Sequence, residues 1–311
     1  MIKVHILYDI KDGPWGGGNQ FLRLLRDNLR GIDVYEDDPL KADVILVNSK
    51  DNLEYGAFLG VEHQKVIVHR IDGIFSIYRG PQELPRDVMV YDFAGRFADG
   101  IIFQSHWSRM ASKKNGMGNK LLEVVIPNCS DSTLFLNNRR QRCAERGDKI
   151  RLITTTWSDN PKKGFAVYKY LDNNLDFNKY EYVFVGRSSV QFQNIKIQGV
   201  LNTKQIAKEF EHADIFVTAT QDDACSNSLI EAMSCGLPAV GLESGGVPEL
   251  IGEGGELFNS EDEALSTIEM VADNLEHYET RVAAPKQNDV CRQYCFFMEK
   301  TYDIQSKRKH R

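Results

Sequence analysis

Long apolar runs, paired cysteines and excess positive charge are all missing from this chain. No apolar stretch approaches the ~18–20 residues of a membrane span. The six cysteines, Cys129, Cys143, Cys225, Cys235, Cys291 and Cys295, form no Cys-x-x-Cys pair and have no histidine at zinc spacing. In a chain of 311 residues they read as reduced, buried thiols, as in a cytosolic protein. The formal net charge is −6, which gives the whole chain no general attraction to nucleic acid or anionic lipid. The first residues, Met1-Ile2-Lys3-Val4-His5-Ile6-Leu7-Tyr8, read as a strand entering a core rather than a signal peptide. Basic residues do gather locally, at Arg139–Arg151 and in the tail Lys307–Arg311. The plain reading is a solvated linker and a terminus; the sharper one is weak peripheral attachment to an anionic membrane surface.

What is present is ordinary for a soluble enzyme, 42% apolar and 26% charged, and long enough for two domains. Short β-branched runs alternate with amphipathic stretches. Strands are predicted at 2–8, 42–47, 66–69, 100–103 and 123–126, with helices at 19–29, 87–98 and 105–113 between them. The pattern pauses in the polar stretch 137–149 and restarts. Strands then follow at 151–156, 182–186, 195–197, 214–218 and 238–241. Helices follow at 164–171, 203–212, 226–234, 247–251 and 261–275. This order predicts two parallel-sheet α/β domains, 1–148 and 149–286. The last helical stretch, 287–303, has no strand of its own and is expected to cross back onto the first domain. Sites in such sheets lie beyond the carboxyl ends of the strands, and two facing sheets would share a cleft.

Several strand-end loops carry residues suited to an anion and a sugar. After the first strand comes Gly13-Pro14-Trp15-Gly16-Gly17-Gly18, where three glycines lead into a helix and let backbone N–H groups approach a phosphate. No Gly-x-Gly-x-x-Gly dinucleotide fingerprint fits. After the third strand, His69, Arg70 and Asp72 are expected to face the cleft, His69 toward a reacting sugar and Arg70 and Asp72 toward an anion or acceptor. The second domain opens with Thr154-Thr155-Thr156-Trp157-Ser158 and reaches Lys163-Gly164, a cation at a helix start. Arg187 ends the next strand and is a second cation expected to face the cleft and bind the donor nucleotide.

The richest segment is Asp222–Ile251. Asp223 and Glu231 are carboxylates eight positions apart, separated by the helix-capping run Ser226-Asn227-Ser228. A helix starting there would turn its N–H groups toward a phosphate. Glu231, farther into that helix, could accept both hydroxyls of a ribose, and Asp223 those of a sugar.

At these residues the chain resembles the GT-B glycosyltransferases of the large retaining group called family four. That family carries Glu, seven residues, then Glu-Ala-Met-x-Cys/Ala-Gly-x-Pro-Val. This chain has Asp223, then Glu231-Ala232-Met233-Ser234-Cys235-Gly236-Leu237-Pro238-Ala239-Val240. Gly245-Gly246-Val247-Pro248-Glu249, Lys163-Gly164, Gly16–Gly18 and Pro127-Asn128 match further family motifs. The resemblance implies two Rossmann-like domains facing across a cleft. It implies that Glu231 holds the nucleotide ribose, Lys163 the diphosphate and Asp223 the donor sugar, with Gly17 and Gly18 near the diphosphate and His69 near the transferred sugar. Two departures stand out: Asp223 replaces the usual Glu, and Ser158 the usual Arg five residues before the lysine. Arg187 or Arg70 is expected to compensate for the absence of an arginine at Ser158.

The function expected is therefore a retaining, metal-independent hexosyltransferase. It would move a sugar from a nucleotide-diphosphate sugar to a saccharide or related hydroxyl acceptor, with no cofactor and no nucleic-acid partner, in the cytoplasm. The alternatives are a sugar-nucleotide epimerase on the same scaffold and a catalytically degenerate nucleotide-sugar-binding protein.

Overall fold

A computed structural model describes residues 2–13, 15–138 and 148–309. The basic residues Arg139, Arg140, Arg142 and Arg146, Cys143, and the terminal His310-Arg311 lie outside the described residues, as does Pro14 of the first loop. The chain forms two compact units, Met1–Asn128 with Gln287–Arg311, and Cys129–Lys286. No described helix is long and apolar enough to cross a membrane.

The first unit holds β1 (Val4–Leu7), α1 (Gly17–Gly31), β2 (Val44–Asn48), α2 (Leu53–Glu62), β3 (Val66–Ile71), α3 (Phe75–Arg79), α4 (Leu84–Arg96), β4 (Gly100–Phe103), α5 (His106–Lys114) and β5 (Glu123–Val125). All strands pair in parallel in the order β1-β2-β3-β4-β5. On the other side of β1, residues 34–36 bridge Val4, with Val4 N–H donating to Val34 O at 2.8 Å and Glu36 N–H to Val4 O at 2.9 Å. The chain thus steps one way from β1 to 34–36 and the other way through β2 to β5. Right-handed crossovers then put α1 on one face and α2, α4 and α5 on the other.

Strand alternation shows the two faces. Ile45, Val47, Ile67 and Ile101 pack with Leu53, Leu59 and Phe93 of α2 and α4. The opposite face has only α1 from this connectivity. The remainder is covered by the last helix, α12 (Gln287–Lys309), whose numbering follows the second unit below. Its Val290, Cys291, Tyr294, Phe297, Met298 and Thr301 are buried at helical spacing. Gly100 makes room for it: a Cβ there would stand 3.0 Å from the Phe297 ring and from Thr301 Oγ1.

The second unit holds β6 (Ile150–Thr156), α6 (Phe165–Asn174), β7 (Tyr180–Gly186), β8 (Lys196–Gln198), α7 (Thr203–Glu211) and β9 (Ile215–Thr218). It continues through α8 (Asn227–Ser234), β10 (Ala239–Leu242), α9 (Val247–Ile251), β11 (Gly255–Phe258), α10 (Glu261–Asp273) and α11 (Leu275–Glu279). Its parallel strand order is β11-β10-β9-β6-β7-β8. Leu152, Phe184, Val217 and Val240 pack beneath α6, α10 and α11. Ile153, Val183, Val185 and Phe216 pack beneath α7, α8 and α9. Strands buried on both faces explain the near-continuous apolar runs. The order reverses between β6 and β9, which is where open α/β sheets hold their ligands.

Several elements differ from the sequence reading. Strand β3 continues through Ile71, two residues past its expected end. Its pairing of His69 with Val47 and Ile101, and of Arg70 with Asn48 and Ile102, puts both residues inside the sheet. Helix α2 was not anticipated; it is apolar around its circumference and carries two glycines, so no stripe is legible. Those glycines seat it on the sheet, since a Cβ at Gly56 would lie 3.0 Å from Val47 Cγ2 and one at Gly60 3.0 Å from Ile67 Cγ1. Strand β11 was also missed. The helix expected at 261–275 breaks at Asn274, and the last helix runs on to Lys309.

Candidate functional site

In the second unit, the loops after β6, β7, β9 and β10 gather at the carboxyl rim of the sheet. After β6, the Asn160 side chain accepts from Lys162 N–H at 2.9 Å and starts a short 3-10 turn, Pro161–Lys163. Gly164 then takes φ 84°, where a Cβ would lie 2.3 Å from Ala219 O, so this loop and the one after β9 touch backbone to backbone. Gln221 N–H donates to Lys162 O at 2.8 Å. Lys162 pairs with Asp222, and Lys163 Nζ lies 3.3 Å from Asp223 Oδ2. Two ion pairs thus bridge the loops after β6 and β9, where the strand order reverses.

The loop after β10 supports this arrangement from the other side. Ser244 Oγ accepts from Asp222 N–H at 2.9 Å, and Gly246 N–H donates to Asp223 O at 2.8 Å. Asp222 is held at φ 54°, a left-handed conformation uncommon outside glycine. Asp223 Oδ1 accepts from Cys225 N–H at 3.1 Å, which leads the chain into α8. Ser226 caps that helix through Leu229 N–H, so Asn227 and Ser228 form its first turn, where the helix dipole is positive.

Glu231 sits in α8 partly shielded from solvent, and among the described residues its carboxylate has no hydrogen-bond or ion-pair partner. Desolvation pushes its carboxyl up to about 8. A carboxylate left without donors in a shielded place is costly unless something supplies them, and the two hydroxyls of a ribose would do so.

Arg187 follows β7 and is exposed, its guanidinium 5.2 Å from the Trp157 ring centroid. Trp157 is 39% exposed. It was not among the residues singled out for a role; its signal was an aromatic directly after a strand, amid hydroxyl residues.

In the first unit, the loop after β1 leads into α1 without a side-chain cap, since Gly16 precedes it at φ 26°. Asn19 is buried and clamps the loop, accepting from Lys11 N–H and donating to Lys11 O, both at 2.9 Å. A Cβ at Gly18 would meet nothing within 4 Å. The helix end Gly17-Gly18 is therefore presented on a fixed loop with open space beside it.

His69 and Arg70 are not in a loop and do not face solvent. Because β3 continues to Ile71, the two side chains point to opposite faces of the sheet, both fully buried. His69 Nε2 lies 2.6 Å from Ser49 O; a carbonyl only accepts, so this nitrogen carries the proton. Nδ1 is then a buried acceptor without a partner, and the ring packs edge-on against Phe93. Burial lowers its pKa to about 4, so the ring stays neutral. Arg70 is an internal anchor rather than an anion site. It donates to Asn48 at 2.6 Å, Asp72 at 2.7 Å, Asn128 at 2.7 Å and Tyr294 at 3.1 Å, and its guanidinium lies over Phe21. Asp72 is partly exposed and shared between Arg70 and Gln104. It is the one member of this trio that reaches the rim.

These features meet known proteins as follows. Residues 167–276 match the family described as glycosyl transferases group 1. The resemblance lies with that group. The segment covers α6 to α11, including Arg187, Asp223 and Glu231. A 41.2 kDa uncharacterised protein of the cps region of Klebsiella pneumoniae is 22% identical over 254 residues, 76% of this chain and 68% of that protein. The sulfoquinovosyl transferase SQD2 of Arabidopsis thaliana is 33% identical over 69 residues, 21% of this chain and 14% of that protein. Among solved structures, Alr3699/HepE of Anabaena in complex with UDP-glucose superposes with a TM-score of 0.71 at 17% identity, over 99% of this chain and 100% of that one. Sucrose-phosphate synthase of Thermosynechococcus elongatus gives 0.69 at 13% identity, over 100% of this chain and 98% of that one. The fold is that of the GT-B glycosyltransferases.

Proposed function

We propose that the protein is a retaining glycosyltransferase that moves a sugar from a nucleoside-diphosphate sugar to a hydroxyl of a saccharide or related acceptor. The observation that carries this reading is the rim of the second unit. There a shielded Glu231 lacks donors, and a Lys163–Asp223 pair stands at the strand-order reversal. Glu231 takes the ribose hydroxyls, Lys163 and the first turn of α8 take the diphosphate, and Asp223 takes hydroxyls of the donor sugar. Negative charge grows on the leaving diphosphate in the transition state, where a fixed cation and a helix dipole lower the barrier. Attack by the acceptor from the face that the diphosphate leaves requires no protein nucleophile. The match to glycosyl transferases group 1 and the fold shared with a UDP-glucose complex support the donor class. The first unit, with Asp72 at its rim, is the acceptor side in this reading.

A thermal-shift screen of UDP-, GDP- and ADP-sugars tests the donor class, since a ligand bound only by the folded state raises Tm. The anomeric configuration of the product, read by NMR, tests retention, and transfer in the presence of a chelator tests metal independence. Full transfer activity in both Glu231→Ala and Lys163→Ala would overturn the assignment.

A further inference from the structure

We infer that Arg187, held on the face of Trp157, is the unneutralised cation of the site and contacts the terminal phosphate of the nucleoside diphosphate. The inference rests on the donor reading above and adds a residue pair to it.

Three cations stand on the rim loops after β6 and β7. Lys162 is paired with Asp222 and Lys163 with Asp223. Arg187 alone of the three has no carboxylate partner among the described residues. A diphosphate carries at least two negative charges, and the field of each lysine is offset in part by the aspartate beside it. The charge balance therefore favours a further cation, and Ser158, on the β6 loop, cannot supply it. Arg70 is excluded, because its guanidinium is wholly buried and engaged with four internal partners.

Arg187 is also fixed in place. Gly186 adopts φ 115°, where a Cβ would fall 1.8 Å from Thr156 O, so the ends of β6 and β7 are in direct backbone contact. Thr156 Oγ1 donates to Arg187 O at 2.8 Å, and Arg187 N–H donates to Thr156 O at 3.3 Å. Beyond it, Ser188 Oγ donates to Val190 O at 2.6 Å and closes a tight turn. The following residues are pinned to the buried Asp172, which accepts from Gln193, Asn194 and Ile195 N–H. The Trp157 ring supplies a flat surface that limits the guanidinium to one plane, leaving its outward N–H groups to a planar or tetrahedral oxyanion. Trp157 is thus a positioning residue and Arg187 a binding one.

The experiment compares UDP with UMP by calorimetry on the wild type, Arg187→Ala, Arg187→Lys and Trp157→Ala. If the panel above favours another base, that base's diphosphate and monophosphate replace them. Arg187→Ala should weaken diphosphate binding roughly tenfold or more and leave monophosphate binding unchanged, because a charge-assisted hydrogen bond to the terminal phosphate is lost. Trp157→Ala and Arg187→Lys should each lose part of the diphosphate preference, the first by freeing the guanidinium and the second by removing its planar fork. A purely structural role for either residue would weaken both nucleotides alike and lower the ligand-free Tm. An unchanged diphosphate-to-monophosphate ratio in Arg187→Ala overturns the inference while leaving the donor reading intact. A wild type that binds no nucleoside diphosphate overturns both.

Discussion

Lys163 Nζ lies 3.3 Å from Asp223 Oδ2, each side chain about one-fifth exposed, so the two groups proposed to share a donor between them also hold each other in place. The pair can be separated by function. Lys163→Ala should weaken nucleoside-diphosphate binding roughly tenfold or more, the scale of a lost charged hydrogen bond. Asp223→Ala should leave free nucleotide binding within a few-fold, by the small worth of a partly exposed ion pair, yet abolish transfer. Titration with nucleotide alone and turnover with donor check the two arms. Equal losses of nucleotide affinity in both variants would refute the division.

Glu231 gives the protein a pH signature. Its carboxyl is raised to about 8 in the folded protein by desolvation, against about 4.5 when unfolded. Below about 4.5 both states hold the proton and the group has no effect. Between about 4.5 and 8 the unfolded state releases its proton first, so stability falls as pH rises. Glu231→Gln should remove this slope, so its Tm gains on the wild type as pH is raised from 5 to 8. Nucleotide binding favours the ionised form and should release a proton at pH 7, seen as a binding heat that depends on the buffer's ionisation enthalpy. A parallel Tm–pH profile for Glu231→Gln would contradict the shift.

Two glycines should respond oppositely to alanine. Gly245 has φ 63° and a Cβ there would lie 2.4 Å from Asp223 O. Gly245→Ala should cost about 1–3 kcal/mol and displace the Asp223 loop. Gly18 lies in the first turn of α1 with nothing within 4 Å of a Cβ, so Gly18→Ala should stabilise by about 0.5–1 kcal/mol. If substrate occupies the open space beside it, that stabilised variant should nonetheless transfer more slowly. Denaturant unfolding and initial rates measured side by side decide this.

The Arg70 cluster predicts an asymmetry typical of buried charge. Arg70→Ala removes the buried donor from which Asn48, Asn128 and Tyr294 accept and should cost about 3–5 kcal/mol. Arg70→Met, which replaces the guanidinium with apolar volume against Phe21, should cost less. Chemical denaturation of the two variants gives the ordering, and the reverse order would show that the polar partners find water instead.

The sequence carried the rim of the second unit well because its residues sit close together along the chain. Lys163-Gly164 and Asp223–Glu231 lie directly after strands, and the parallel sheet brings those strand ends side by side. What eluded it depends on distant partners. His69 and Arg70 look like loop residues because they are polar at the end of an apolar run. Besides the nearby Asp72, burial of that arginine depends on Asn48, Asn128 and Tyr294, the last 224 positions away from it. Helix α2 was hidden by being apolar all round, and the Trp157–Arg187 contact spans two strands with no shared motif.

The first unit is assembled from segments on either side of the second, and this inverts the usual order of events during synthesis. Cys129–Lys286 is continuous, so it can close as soon as it leaves the ribosome. The sheet begun by β1 must wait for α12, made only after the whole second unit, before Gly100 and Arg70 gain Phe297 and Tyr294. A sheet begun before the second unit is therefore finished after it. Until then its uncovered apolar face is where a nascent-chain chaperone would be needed.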